Sequence, residues 1–351
     1  MQSPADRRPT IKTLAEMTGL SIATISKALR DSPVVTAETK ALVRKAAAQV
    51  GYMANQRGMS LRTGLTYQIA VLMPVSEGAG LEGSEWQGVD YAQILSGISQ
   101  GLAGSAYRLS VHIVRDDRDG LETVRRIVEQ GLADGLIFSG ILARDARIDY
   151  LVARGFPFAT MGRCRGPLAY AHVDIDSDWA AEAATARLIA GGHLRIALIN
   201  PEPKFAYALD RIDGFRRAIG KAGLPPCDDL IAAGDMTARF GKGSVLRLRR
   251  RNDPPTGFVC VNEPTALGAL AGLRELGLVV GQEASVIACD DINASGYFAP
   301  PLTTFYQPVE VLGRQLGAFL LRRLAGEDIA GLTQIYRPDL VARQADRLLS
   351  A

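Results

Sequence analysis

From residue 67 onward, short runs rich in β-branched residues alternate with amphipathic stretches, and this alternation limits the fold more than any other feature of the chain. Gln68–Val75, Arg108–Val114, Gly135–Ser139, Pro157–Met161, Arg195–Asn200, Gly257–Val261 and Ser285–Cys289 have the length and make-up of strands. Helical patterns fall between them, near 90–103, 120–131, 145–154, 178–191, 210–223, 241–250, 263–276 and 308–325. Strand–helix–strand order with short connections produces parallel sheets covered by helices. A single core stops growing well before this length, so the pattern predicts two sheets with a cleft between them.

The first 64 residues read differently. Thr10 is placed to cap a short helix from Ile11 to Met17, with Leu14 and Met17 on one face. Thr18-Gly19-Leu20 breaks that pattern, and Gly19 suits a positive φ. Ser21 caps a second helix, Ile22–Leu29, with Ile25, Ala28 and Leu29 inward. Thr36 caps a third that ends at Gly51 and buries Leu42, Val43, Ala46, Ala47 and Val50. Ala15, Gly19 and Ile25 supply a small residue at a close crossing, a turn glycine and a β-branched anchor, as a tight helix-turn-helix requires. Any short three-helix bundle can show that spacing, so charge has to decide. Residues 1–64 carry ten Lys/Arg against four Asp/Glu, a net +6, whereas the rest of the chain has 30 against 33. A basic head on a slightly acidic body points the head at a polyanion. The chain therefore reads as α/β, with an N-terminal all-α helix-turn-helix head and two doubly wound parallel-sheet lobes.

Other classes find little support. The longest apolar run, Ile69–Val75, is far too short to span a bilayer. Residues 1–8 have no apolar signal segment, and Cys164, Cys227, Cys260 and Cys289 are scattered as reduced thiols would be, so a cytoplasmic location is expected. Gly78-Ala-Gly-Leu-Glu-Gly83 matches a dinucleotide fingerprint, but Glu77, Glu82 and Glu85 would repel a pyrophosphate and no clean helix follows. Gly241-Lys-Gly-Ser lacks the upstream glycine of a phosphate loop. His112, His172 and His193 have no metal-ligand spacing, and nothing assembles around Asp290-Asp291. No enzyme activity, cofactor or metal is expected.

The sequence resembles the lactose/galactose repressor family over nearly its whole length. Thr10-Ile-Lys-Thr-Leu-Ala-Glu, Leu20-Ser-Ile-Ala-Thr-Ile-Ser-Lys-Ala-Leu-Arg, Val35-Thr-Ala-Glu-Thr and Val50-Gly-Tyr-Met-Ala-Asn carry the likeness, which continues into Gln56-Arg-Gly-Met-Ser-Leu-Arg-Thr-Gly. The resemblance implies a helix-turn-helix domain over 9–55, a hinge helix and linker over 56–66, and a two-lobed body of the periplasmic-binding-protein type over 67–351. Lobe 1 would take about 67–172 and 303–334, lobe 2 about 173–302 and 335–351, with crossings near 170–175, 300–303 and 334–337.

It further implies a DNA-binding repressor that acts as a homodimer on a palindromic operator, under the control of a small-molecule effector, a sugar or sugar derivative, held between the lobes. Ile22, Ala23 and Lys27 would face base edges, Ile22 and Ala23 against thymine methyls and Lys27 against guanine or a phosphate. Ser21, Thr24 and Asn55 would contact phosphates. Leu61 would wedge into the minor groove. Gly58 stands where a helix former is common and Met59 where a basic residue is, so the hinge is expected to fold only on DNA. Arg211, Asn262 and Asp290 match the family's effector-binding arginine, asparagine and aspartate, with Asp176 and Arg163 as further cleft residues. Any of these could instead cap a helix or pair across the lobes. Met236 stands where some sugar-responsive members stack a tryptophan; Tyr91, Trp86, Phe138 and Phe205 are alternatives. Only Val341–Ala351 follows the last matched strand, so a dimer rather than a tetramer is expected. Two readings stay beside this one: a carbohydrate-binding protein with no DNA role, and, more remotely, a nucleotide-dependent oxidoreductase.

Overall fold

The computed structural model describes residues 9–29, 32–52, 63–75, 90–291 and 294–346. Asn55, Gly58, Met59, Leu61, Trp86 and the Gly78–Gly83 run lie outside these residues. The chain divides into two compact units, Met1–Thr66 and Tyr67–Ala351.

The first unit holds α1 (Ile11–Thr18), α2 (Ile22–Leu29) and α3 (Ala37–Val50). Thr10 and Thr13 form a capping box at the start of α1, and Gly19 ends it at φ 69°. Thr36 caps α3 by accepting the Thr39 amide at 3.3 Å. Leu14, Ile25, Ala28, Val43 and Ala46 close a small core. Met17 and Leu42, expected inside, are 46% and 48% exposed. On α3 the inward stripe runs through Val43, Ala46, Ala47 and Val50, which leaves Leu42 about 100° out of line.

The second unit contains two six-stranded sheets. Lobe 1 is built on β1 (Gln68–Pro74), β2 (Arg108–Val114), β3 (Gly135–Phe138), β4 (Phe158–Met161), β5 (Ala171–Ile175) and β11 (Thr333–Tyr336), in the order β11-β5-β4-β3-β1-β2. Its helices are α4 (Tyr91–Gly101), α5 (Asp117–Glu129), α6 (Ala146–Ala153) and α11 (Val309–Leu324). Lobe 2 is built on β6 (Ile196–Pro201), β7 (Ile231–Gly234), β8 (Gly257–Cys260), β9 (Ser285–Ala288), β10 (Thr303–Tyr306) and β12 (Asp339–Val341), in the order β12-β10-β9-β8-β6-β7. Its helices are α7 (Ser177–Ala190), α8 (Ala206–Lys221), α9 (Ala238–Leu248) and α10 (Glu263–Glu275). Pairing is parallel except for β12, which runs antiparallel to β10.

Both faces of the lobe 1 sheet are covered. Ile69 and Val71 join Ile98 and Leu316 on one side, while Ala70 and Leu72 join Leu136 and Ile148 on the other. Helices α4 and α11 meet closely; a Cβ at Gly97 would collide with the Glu310 carbonyl. Lobe 2 has its own core around Leu198, Phe215, Phe258, Val286 and Phe305.

Two of the three crossings differ from those expected. All of β5 pairs in the lobe 1 sheet, so the first crossing falls at Asp176. β10 pairs with β9 in lobe 2, which moves the second from 300–303 to 307–308. The third lies between Tyr336 and Asp339. Short polar strands such as Thr303-Thr-Phe-Tyr lack the apolar run that marks a central strand, hence the displaced boundaries.

Candidate functional site

The carboxyl ends of both sheets face a cavity of about 610 Å³ between the lobes. Such crevices are where doubly wound sheets hold ligands, and the volume falls within the usual range for enclosed small-molecule sites.

Lobe 2 supplies the most buried polar groups. Arg211, in the second turn of α8, is 5% exposed, with its guanidinium 5.2 Å from the Tyr207 ring centre. Its Nε and Nη1 are buried and have no hydrogen-bond partner among the described residues. Asp290 follows β9 and accepts the Glu263 amide at 2.7 Å. Burial pushes its carboxyl up to about 8, helped by the Glu263 and Asp291 carboxylates and opposed by that amide and by Arg211. Asn262 caps α10: its Oδ1 accepts the Thr265 amide at 3.0 Å, and its Nδ2 donates to the Met236 carbonyl at 3.1 Å. Tyr207, Met236 and Phe205 add apolar wall, with the Tyr207 hydroxyl 3.6 Å from the Met236 sulfur.

Lobe 1 contributes Arg163, whose Nη1 lies 3.0 Å from Asp174 Oδ2. Burial raises the Asp174 carboxyl to about 6 against the pull of Arg163. Tyr91, Ser139, Ile141 and Arg115 complete this side.

The lobes also touch away from the three crossings. The Ala143 amide donates to the Lys204 carbonyl at 2.8 Å and the Ala206 amide to the Ile141 carbonyl at 3.0 Å, making an antiparallel bridge between Leu142 and Phe205. A buried pair shapes the lobe 1 side of this bridge. Arg147 Nη2 holds Asp145 Oδ2 at 2.6 Å and the Gly140 carbonyl at 2.8 Å, while Asp145 accepts the Leu142 amide at 3.1 Å. Arg165 reaches across to Asp210 and Asp213, each at 2.6 Å, and Lys204 to Asp117 at 3.1 Å.

Arg211, Asn262, Asp290 and Arg163 thus line one cavity. Asp176 does not. It caps α7 through the Trp179 amide at 3.0 Å, because an Asp-Ser-Asp run just ahead of a helix is placed for that role. Phe138 is also outside the lining and lies under the Arg147 guanidinium at 4.7 Å. Asp174, Tyr207 and Arg147 escaped the sequence reading. A carboxylate at the end of a strand, where it cannot cap a helix, was the available signal for Asp174.

In the head, Ser21, Ile22, Ala23 and Lys27 are exposed on α2, with Ile22 at 44%. Ser21 Oγ accepts the Thr24 amide at 3.1 Å and so caps the helix, and it lies 2.8 Å from the Thr24 hydroxyl. No group of three or more His, Cys, Asp or Glu suited to a metal occurs among the described residues, and no helix there is long and apolar enough to cross a membrane.

Two sequence families match the chain: residues 10–55 fit the bacterial regulatory proteins of the lacI family, and residues 185–345 a periplasmic binding protein-like domain. The HTH-type transcriptional regulator AglR of Rhizobium meliloti (strain 1021) is 33% identical over 340 residues, covering 95% of this chain and 93% of that protein. The solved structure of a transcriptional regulator CelR–cellobiose complex is 26% identical with a TM-score of 0.71, over 96% of this chain and 100% of that one. The lac repressor dimer bound to operator and the anti-inducer ONPF shares the fold, with a TM-score of 0.78 at 24% identity over 97% and 100% of the two chains. A helix-turn-helix head joined to a two-lobed ligand-binding body defines a DNA-binding regulator, not an enzyme or a carbohydrate carrier without a DNA role. The chain belongs to the lacI family of bacterial regulatory proteins.

Proposed function

We propose that this regulator represses transcription as a cytoplasmic homodimer on a palindromic operator, and that a sugar bound between its lobes sets its affinity for DNA. The observation that carries the sugar reading is Arg211, whose two buried N–H donors have no partner among the described residues and line the cavity with Asp290. A buried donor left unmade costs about 1–3 kcal/mol, so the site is built for a ligand oxygen. Adjacent hydroxyls of a sugar suit a guanidinium fork and a carboxyl together, and the faces of Phe205 and Tyr207 suit a ring. The CelR–cellobiose complex supports the same ligand class.

On the DNA side, Ile22, Ala23 and Lys27 read base edges, Ser21, Thr24 and Asn55 set register on phosphates, and Leu61 enters the minor groove.

A thermal-melt screen against sugars, sugar phosphates, polyols and purines tests the reading. A ligand at 100 times its Kd adds about 2.7 kcal/mol, a shift of a few degrees. A sugar that shifts wild type and not Arg211→Ala supports the proposal. A flat response to sugars with a shift from a purine overturns it. Sedimentation showing only monomer at micromolar concentration would remove the dimer.

A further inference from the structure

Helix α8 starts without a cap of its own. Phe205 stands at its N-cap position with no side-chain acceptor for the first turn. Ala206, 2% exposed, donates its amide instead to the Ile141 carbonyl of lobe 1 at 3.0 Å. The Lys204 carbonyl returns the contact by accepting the Ala143 amide at 2.8 Å. A helix end in one lobe is thus completed by the other, and parting the lobes would hand both amides to water.

Two sets of charges hold this joint. Arg165, tied to the same loop by its amide on the Ala143 carbonyl at 3.0 Å, donates to Asp210 and Asp213 on α8, each at 2.6 Å. Lys204 reaches Asp117, the first residue of α5, at 3.1 Å, and Glu202 of its own lobe lies 3.6 Å away. The buried Arg147–Asp145 pair stiffens the lobe 1 loop through the Gly140 carbonyl and the Leu142 amide. None of these residues lies in the three crossings, and every contact is between groups of the chain itself. The side chains of Arg165, Asp213, Lys204 and Asp117 are between 38% and 49% exposed, where dissolved salt screens them.

We propose that this joint is an ionic clasp: the chain's own contacts bias the two lobes toward their closed arrangement, and ionic strength, acting on Arg165 and Lys204, shifts that bias without any ligand. An effector then acts on an equilibrium that the clasp has already weighted. Opening the clasp also uncaps the start of α8, the helix that carries Arg211, so lobe position and the order of that helix end change together.

Hydrogen exchange of the full chain, with no ligand added, tests the clasp. The Ala143 and Ala206 amides are followed at about 0.05 and about 0.5 M sodium chloride, with the Ile137 and Val259 amides in β3 and β8 as references for the two sheets. In wild type, salt should speed Ala143 and Ala206 about twofold or more relative to the references, and Arg165→Ala and Lys204→Glu should each do so at low salt. Lys204→Glu separates a clasp from a local effect. A carboxylate ahead of α8 suits the positive end of that helix, so a merely local role slows exchange at Ala206. A clasp gives faster exchange, because the new carboxylate faces Asp117 and Glu202. Adding Asp117→Lys to Lys204→Glu restores an opposite pair and should return both amides to within about twofold of wild type. Melts confirm that each variant folds, and the wild-type salt series keeps the test decisive if one does not. Exchange at Ala143 and Ala206 that ignores salt, that moves only in step with the references, or that Asp117→Lys fails to restore overturns the clasp.

Discussion

The Asp290 carboxyl accepts the backbone amide of Glu263 at 2.7 Å, so the group that faces the cavity also caps the helix behind it. Its folded-state value near 8 lies above the unfolded value of about 3.9, and the folded protein keeps the proton to higher pH. This group's contribution to stability is full below about pH 4, declines as pH climbs toward 8, and is level above that. Asp290→Asn keeps an oxygen for the Glu263 amide and removes the titration. Its stability relative to wild type should rise by a few kcal/mol between pH 5 and pH 8 in urea unfolding, and a relative stability that falls over that range would contradict the assignment.

Arg211 Nε and Nη1 are buried donors without partners among the described residues. Arg211→Met keeps the stem and removes the unmet donors. The ligand-free melting temperature should stay level or rise by a few degrees, while stabilisation by any effector is lost. A drop of many degrees without ligand would mark Arg211 as part of the scaffold.

Asn262 works for the fold as well as for the cavity. Losing the cap alone costs about 0.5–2 kcal/mol, and the Met236 carbonyl loses its donor too. Asn262→Ala should therefore melt several degrees lower with no ligand present. Calorimetry showing an unchanged melt would mean the cap carries no weight.

The bridge between Leu142 and Phe205 can be read by hydrogen exchange. The Ala143 and Ala206 amides should exchange slowly, and more slowly still with effector. Arg165→Ala removes two exposed ion pairs worth about 0.2–1 kcal/mol each, which should speed both amides by a few-fold. Random-coil exchange at both amides in wild type would show that the bridge does not hold in solution.

Lys27 on α2 is exposed and basic. If it meets a phosphate, Lys27→Ala weakens binding equally on all sequences and reduces the salt slope of log affinity by about 1. If it reads guanine, the loss of about 1–3 kcal/mol is confined to one operator position. Gel-shift titrations on a selected operator and its point variants separate the two, and unchanged binding on all of them removes Lys27 from the interface.

The parts legible in the sequence are those where local chemistry and fold agree. Gly19, Thr36 and the apolar runs of β1, β3 and β8 state their conformations directly. The strands β5, β7, β10, β11 and β12 are short, and those near the crossings mix polar with apolar residues, so partners set them more than propensity does. In the cavity, Asn262 and Asp290 stand at strand ends, where pattern supports the family resemblance, whereas Arg211 lies inside α8 because that helix starts at Ala206 rather than near 210. Asp174 and Asp176 are two residues apart in one run, and only the strand's extent shows that the first is the one beside the cavity. Arg147 gave no signal, because its partner is Asp145 and its purpose is the shape of a loop.

Because β11 and α11 belong to lobe 1 but come after nearly all of lobe 2 in the chain, the order of synthesis matters. A growing chain that has delivered everything through β10 still lacks the helix that packs on Ile94 and Ile98 and the strand that borders β5. Lobe 1 must wait on the ribosome with that apolar face uncovered. Lobe 1 is closed only by α11 and β11, and lobe 2 gains its edge strand β12 directly after them.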